Sequence, residues 1–251
     1  MDNRFANLFG LTEEQALTLL KTPLDQLEDK SERYVAASHL INFPTERSIN
    51  ALIEAVQDRD PQLYNRIARR KSVESLGRLK ASVALPVIQS CLGDDDCYTV
   101  ENAVWAIGQI GTEDEAILEE IAQLLEKPGQ SYRVIIQTLA KLNYKPALER
   151  IKKFTESDNE PIASAAIATV CRFTGDYTQM SKIVELLQHD NVNARRGCIQ
   201  DLIDARYYQA IPNISRSPVS MVFRLRGIRL LAETGVPAGK IHQLLCPQWN
   251  Y

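Results

Sequence analysis

One short stretch of the sequence combines carboxylates, two aromatic rings and an amide. Its members are Asp94, Asp95, Asp96, Tyr98, Glu101, Asn102 and Trp105. On a helix, Tyr98, Glu101 and Trp105 are spaced i, i+3 and i+7 and share one face, with Asn102 beside Glu101. Two rings on that face could stack on a planar conjugated ligand while a carboxylate accepts hydrogen bonds from ligand N–H groups.

We therefore predict Glu101, Asp95 and Asp96 as catalytic carboxylates, and Tyr98, Asn102 and Trp105 as ligand-binding residues. A purely structural interpretation stays open beside this one. In it the two rings pack in the core between helices, and the aspartates only cap a helix. Cys97, near a predicted helix start, is interpreted as a packing residue rather than a reactive thiol.

Basic residues lie on both sides of this stretch. Arg66 and Arg70 form an i, i+4 pair one repeat earlier, able to clamp a carboxylate or propionate. Tyr132 and Arg133 occupy the equivalent place one repeat later, and all four are predicted to bind ligand. The alternative is a solvated basic face that balances the acidic repeat between them, since no Lys or Arg occurs from Cys91 to Glu126.

Other kinds of site find little support. There is no phosphate-binding glycine-rich loop, no G-x-S-x-G and no H-E-x-x-H. The five cysteines form no C-x-x-C pair and the three histidines stand far apart, so we predict neither a metal site nor a disulfide framework. A net charge of −3 argues against a nucleic-acid partner. With no long apolar run and no signal segment, we expect a cytoplasmic protein that does not enter a membrane.

An internal repeat indicates the scaffold that must position these residues. Similar positions recur about every 31 residues, with a longer first step, at Leu40, Leu76, Ile107, Leu139, Val170, Leu202 and Leu231. Each unit resembles one helix rich in Ala and aliphatic residues, a short turn and a second amphipathic helix. In the unit around Trp105, Gly108 and Gly111 are expected to end the first helix, and the second is expected to begin near Glu113–Glu115.

These units predict an all-α fold, an α-solenoid of about six to seven HEAT-like helix pairs. A single pair cannot bury its apolar face, so successive pairs must stack, and the concave side is the usual binding surface. We expect one repeat domain over residues 1–251, with an N-terminal cap over 1–27, repeats over 28–235 and a C-terminal tail over 236–251.

Two segments carry a resemblance to a known family. They are Asp96–Gly108, DCYTVENAVWAIG, and Ser31–Leu40, SERYVAASHL. Both resemble the E/F-type phycobilin lyases of cyanobacteria and plastids. The resemblance spans roughly Leu11 to Ala232.

The resemblance implies a lyase that binds an open-chain tetrapyrrole and assists its thioether attachment to a cysteine of a phycobiliprotein subunit of the phycobilisome. It also implies a second helical-repeat lyase subunit, the bilin as substrate rather than a permanently bound cofactor, and a cytoplasmic or plastid stromal location. In that setting Glu101 or an aspartate would hold the pyrrole N–H groups, Tyr98 and Trp105 would stack on the rings, and the arginines would pair with propionates.

The first repeat departs from the family pattern. Where the family tends to have bulky aromatics, this chain has Val35-Ala36-Ala37-Ser38-His39, and the Asn-His-Cys type motif of bilin-isomerising members is absent from the sequence. A second hypothesis of another class remains, a non-catalytic HEAT-repeat adaptor that binds a protein partner in its concave groove.

Overall fold

The structure is a computed structural model that describes residues 10–235, and every regular element within that range is helical. The α-helices are α1 Glu13–Lys21, α2 Glu32–His39, α3 Glu46–Gln57, α4 Leu63–Arg78, α5 Leu85–Gln89, α6 Cys97–Ile110, α7 Glu115–Gln123, α8 Tyr132–Lys141, α9 Leu148–Lys152, α10 Glu160–Thr174, α11 Met180–Glu185, α12 Val192–Asp204, α13 Ile211–Arg216 and α14 Met221–Glu233. Short 3-10 helices lie at Leu24–Gln26, Leu40–Asn42, Ser82–Ala84, Leu124–Glu126, Lys145–Ala147, Leu186–Gln188 and Tyr208–Ala210. The all-α prediction is confirmed.

The chain divides into two compact units, Met1–Thr138 and Leu139–Tyr251. From α2 onward the helices form consecutive pairs, and we call the two members of each pair its first and second helix. The first helices are the even-numbered ones, from α2 to α14. The expectation of one domain over 1–251 stays a prediction. The predicted tail at 236–251 lies outside the described residues, as does the part of the predicted cap before residue 10.

In the first unit, the first helices α2, α4 and α6 pack side by side. The second helices α3 and α5 pack against α4 and α6, and α1 covers α2 and α3 at the N-terminal end. Two helix starts have a clear local cause. Thr12 and Gln15 form a capping box at α1, and Asp114 caps α7, where carboxylates were expected at the helix start.

In the second unit, α10, α12 and α14 pack in the same way, with α13 against α14. The repeat positions account for both cores, because Leu40, Leu76, Ile107, Leu139, Leu202 and Leu231 are fully buried. Val170 alone of the seven is half-buried. Within residues 10–235, no helix combines the length and apolar character needed to cross a bilayer.

One expected helix end is wrong. Gly108 lies inside α6, which continues to Ile110 and ends at Gly111, where φ is +87°. Gly108 is buried, and a Cβ there would meet the Thr138 hydroxyl at 3.0 Å. The residue therefore serves close packing between α6 and α8 rather than helix termination.

A buried arginine recurs in the first unit. Arg33 on α2 donates through Nε to the Leu20 carbonyl at 3.0 Å and pairs with Asp58 at 3.2 Å. Arg69 on α4 donates through Nε to the Val56 carbonyl at 2.9 Å and pairs with Asp94 at 2.6 Å. Each arginine thus joins the end of the preceding helix to the loop before the next first helix.

Candidate functional site

One face of α6 packs into the hydrophobic core, so the predicted site residues lie on its opposite face. Val100, Ala103, Val104 and Ile107 are all buried, as their helical spacing predicts. The opposite face therefore carries the residues predicted from the sequence, which are Tyr98, Glu101, Asn102 and Trp105.

The two rings on this face are accessible to different degrees. The Tyr98 side chain is 59% exposed, and the guanidinium of Arg70 lies 4.8 Å from its ring centroid. Trp105 is half-buried, against α4 at Gly77, where a Cβ would come within 3.0 Å of the indole. Asn102 donates to the Tyr98 carbonyl at 2.8 Å, so its amide is engaged with the helix itself. Neither ring is sealed in the core between repeats.

Glu101 is half-buried at the junction of two repeats. Its Oε2 accepts a hydrogen bond from the Ser131 hydroxyl at 2.7 Å. Ser131 directly precedes α8, so the contact places the predicted ligand residues Tyr132 and Arg133 at a helix start beside Glu101. The Tyr132 hydroxyl donates to the Lys127 carbonyl at 2.8 Å.

Asp96 has a structural role that its sequence context only partly indicated. It is the N-cap of α6 and accepts from the Thr99 amide at 3.2 Å and the Thr99 hydroxyl at 2.6 Å. Arg70 pairs with both of its carboxylate oxygens, at 2.5 and 2.6 Å, and Arg66 approaches to 3.3 Å. The predicted arginine pair therefore does hold a carboxylate, and that carboxylate belongs to the protein.

These contacts fix the charge of Asp96. Burial alone would raise its pKa, but the hydrogen bonds from Arg70 and Thr99 and the charges of Arg70 and Arg66 outweigh burial and hold the pKa at about 2. Such a group does not exchange protons near neutral pH. The predicted catalytic role of Asp96 therefore does not extend to proton transfer.

The neighbouring aspartates differ sharply in environment. Asp94 accepts from Arg69 at 2.6 Å and from Arg59 at 2.7 Å. Burial would raise its pKa, but the hydrogen bonds from Arg69 and the Asp96 amide and the charges of Arg69 and Arg59 lower it. Asp95 is exposed. Arg59 and Ser131 were missed from the sequence, because each meets its partner about a repeat away and neither belongs to a motif.

A cleft of about 390 Å³ lies before the N-terminus of α6. Its lining includes Arg59, Arg66, Asp95 and Asp96. Arg66 is 43% exposed, so its guanidinium keeps an open side there while it pairs with Asp96. The predicted residues thus form two neighbouring groups, one around Asp96 and one around Glu101.

Several known proteins are similar to this chain. Residues 32–58 match the family model described as PBS lyase HEAT-like repeat. The chain is 61% identical to the "Uncharacterized phycocyanin operon protein Y" of Pseudanabaena tenuis (strain PCC 7409) over 96% of this chain and 57% of that protein. It is 35% identical to the "Bilin biosynthesis protein CpeY" of Synechococcus sp. (strain WH8020), over 84% of this chain and 50% of that one.

The chain is thus similar to proteins of bilin biosynthesis, in line with the family resemblance of its sequence. It spans about half the length of these two relatives. A chain in the solved complex of CpcE and CpcF of phycocyanin lyase from Nostoc sp. PCC7120 matches this chain with a TM-score of 0.78 over 94% of both, at 24% identity. That likeness confirms the α-solenoid fold of HEAT-like pairs.

Proposed function

We propose that this chain acts as a phycobiliprotein chromophore lyase, with a second HEAT-repeat lyase subunit as its partner. It binds an open-chain tetrapyrrole and assists its thioether attachment to a cysteine of a phycobiliprotein subunit. The observation that carries the proposal is one face of α6. On it the exposed Tyr98 ring, the half-buried Glu101 carboxylate and the half-buried Trp105 indole follow one another at helical spacing.

The reaction needs no nucleophile from the lyase. The acceptor thiol adds across a double bond of the A-ring side chain: a carbon–sulfur bond forms, the electron pair of the double bond moves into the conjugated system, and the thiol proton ends on the bilin. Nothing leaves. The lyase must orient the two reactants and make the bilin more electrophilic.

Each group on the face fits one of these tasks. Tyr98 and Trp105 offer ring faces on which pyrrole rings stack. Glu101, as a carboxylate, accepts hydrogen bonds from pyrrole N–H groups and favours the protonated, more electrophilic chromophore. The open side of Arg66 is available to a propionate, and Asp96 keeps Arg66 and Arg70 in place for this contact.

The bilin enters this scheme as a substrate that departs with the acceptor. The expected absence of a permanently bound cofactor stays a prediction, as does the cytoplasmic or plastid stromal location.

A transfer assay tests the proposal. The chain is co-expressed with a bilin-producing pathway, an acceptor phycobiliprotein subunit and a partner lyase subunit, and visible absorbance that stays on the acceptor after denaturation is measured. We expect Glu101→Ala and Trp105→Ala to abolish transfer while both variants stay folded. Glu115→Ala, an exposed glutamate on α7, is the matched control and should transfer normally.

Two outcomes would contradict the proposal. Unchanged transfer by both α6 variants would remove this face from the mechanism. Absence of any coloured complex or transfer with every bilin tried would favour the adaptor hypothesis instead.

A further inference from the structure

A shared pattern links three side chains at one repeat position. Arg70, Glu101 and Arg196 are equivalent when Leu76, Ile107 and Leu202 are superposed. In each case a residue at the start of the next first helix holds the side chain. Asp96 binds Arg70, Ser131 binds Glu101, and the Phe223 ring lies 5.4 Å from the Arg196 guanidinium.

This pattern gives the Ser131 contact a role beyond local stability. The Glu101 side chain has several rotatable bonds, and on a solvated helix face its carboxylate would sample many positions. The Ser131 hydroxyl lies on a different repeat, and its hydrogen bond to Oε2 selects among those positions. The contact uses one of the two carboxylate oxygens of Glu101.

We infer that Ser131 is a positioning residue that aims the Glu101 carboxylate at the bilin. The inference rests on the proposed lyase function and adds a residue on the neighbouring repeat to it. Ser131 itself does not contact the reacting atoms. Its hydroxyl donates to a carboxylate, a stronger class of hydrogen bond than one between neutral groups, and holds that carboxylate where a protonated chromophore can pair with it.

Loss of the hydroxyl should therefore mimic, in weaker form, the loss of Glu101. We expect Ser131→Ala to slow bilin transfer about tenfold, the fold-change typical of one hydrogen bond to a charged group. The visible spectrum of the bound bilin should move part of the way toward that of Glu101→Ala, with less of the long-wavelength absorption of the protonated chromophore. Ser131→Thr keeps a hydroxyl and should restore both quantities.

The control is Ser31→Ala. Ser31 also directly precedes a first helix, α2, is also half-buried, and makes no side-chain cap hydrogen bond there. Its replacement should leave transfer and spectrum unchanged. Should Ser131→Ala reduce folding, Ser131→Cys, of similar size but with a weaker donor, gives the same comparison in a folded protein.

A double variant separates positioning from simple stabilisation. If Ser131 acts through Glu101, adding Ser131→Ala to Glu101→Ala should produce no further change in the bilin spectrum. An additional change, or a failure of Ser131→Thr to restore the spectrum, would overturn the inference.

The two levels of hypothesis fail differently. If the parent protein transfers bilin, Glu101→Ala does not and Ser131→Ala matches the parent, then only the role of Ser131 is wrong. If the parent protein neither binds nor transfers any bilin, the lyase proposal is wrong and the role of Ser131 falls with it.

Discussion

Replacing Asp96 separates its two structural contributions, the cap of α6 and the pairing with Arg66 and Arg70. Asp96→Asn keeps a good capping side chain and removes the charge, whereas Asp96→Ala removes both. Asp95→Asn is the matched control, because Asp95 is the adjacent aspartate and is exposed. The three variants differ only in which contacts around α6 they remove.

The magnitude follows from the pKa of Asp96. Its contacts lower the pKa from 3.8 to about 2, which corresponds to about 2 kcal/mol of folding free energy at neutral pH. The side chain is only 8% exposed, so solvent screening removes little of this. We expect Asp96→Asn to cost about 1 to 2 kcal/mol and Asp96→Ala, which also loses the cap, about 2 to 3 kcal/mol. Asp95→Asn should change stability by less than about 0.5 kcal/mol.

The pH dependence has a definite sign. A carboxyl whose pKa is lower in the folded than in the unfolded protein stabilises the fold above the unfolded pKa, and this stabilisation is lost as pH falls through the folded pKa. The difference in stability between the parent protein and Asp96→Asn should be constant from neutral pH to about 5. It should narrow below pH 3.8, be mostly lost at pH 2 and vanish below that pH.

Urea unfolding followed by tryptophan fluorescence measures this difference. The sequence has two tryptophans, so a Trp249→Phe background leaves Trp105, on the same helix as the cap, as the reporter. Equal unfolding midpoints for Asp96→Asn and Asp95→Asn at neutral pH would refute the assignment of Asp96 as a charged structural anchor. So would a stability difference that grows as the pH is lowered.

Two further predictions concern packing and thiol reactivity. Gly77→Ala should destabilise the first unit by about 1 to 3 kcal/mol in urea unfolding, because the added Cβ would lie 2.8 Å from Ala106. Gly93→Ala is the control and should be close to neutral, because the space around Gly93 is open. Equal unfolding midpoints for the two variants would contradict the packing at Gly77. At pH 8, a thiol reagent followed by mass spectrometry should label exposed Cys97 well before Cys171, because burial raises the pKa of Cys171 to about 11; faster labelling of Cys171 would contradict its burial.

Local rules were enough to predict much of the fold. Helical spacing identified the buried face of α6, and the carboxylates before α7 marked its start, because both signals act within a few residues. The repeat positions identified six fully buried core residues because equivalent positions of stacked units face the same core. Gly108 was misjudged because the preference for glycine at helix ends competes with its use where two helices approach closely.

The site was only partly predictable. Placing Tyr98, Glu101 and Trp105 on one face needs helix geometry alone. The pairing of Asp96 with Arg70, and of Ser131 with Glu101, depends on the lateral offset between neighbouring helices, which periodicity does not give. For that reason the sequence could not show that Asp96 pairs with arginines and caps α6 whereas Glu101 accepts a hydrogen bond from the next repeat.

The two buried arginines of the first unit affect how that unit unfolds. Arg33 and Arg69 are each less than one-tenth exposed and bond both backward and forward along the chain. Local unfolding of one helix pair would break these bonds and leave a buried guanidinium and its acceptors without partners. Amide exchange should therefore report one cooperative opening across α2 to α6 rather than stepwise loss from the end. A repeat could be deleted or duplicated in this unit only if the new neighbours supplied both a carbonyl and an aspartate to each arginine.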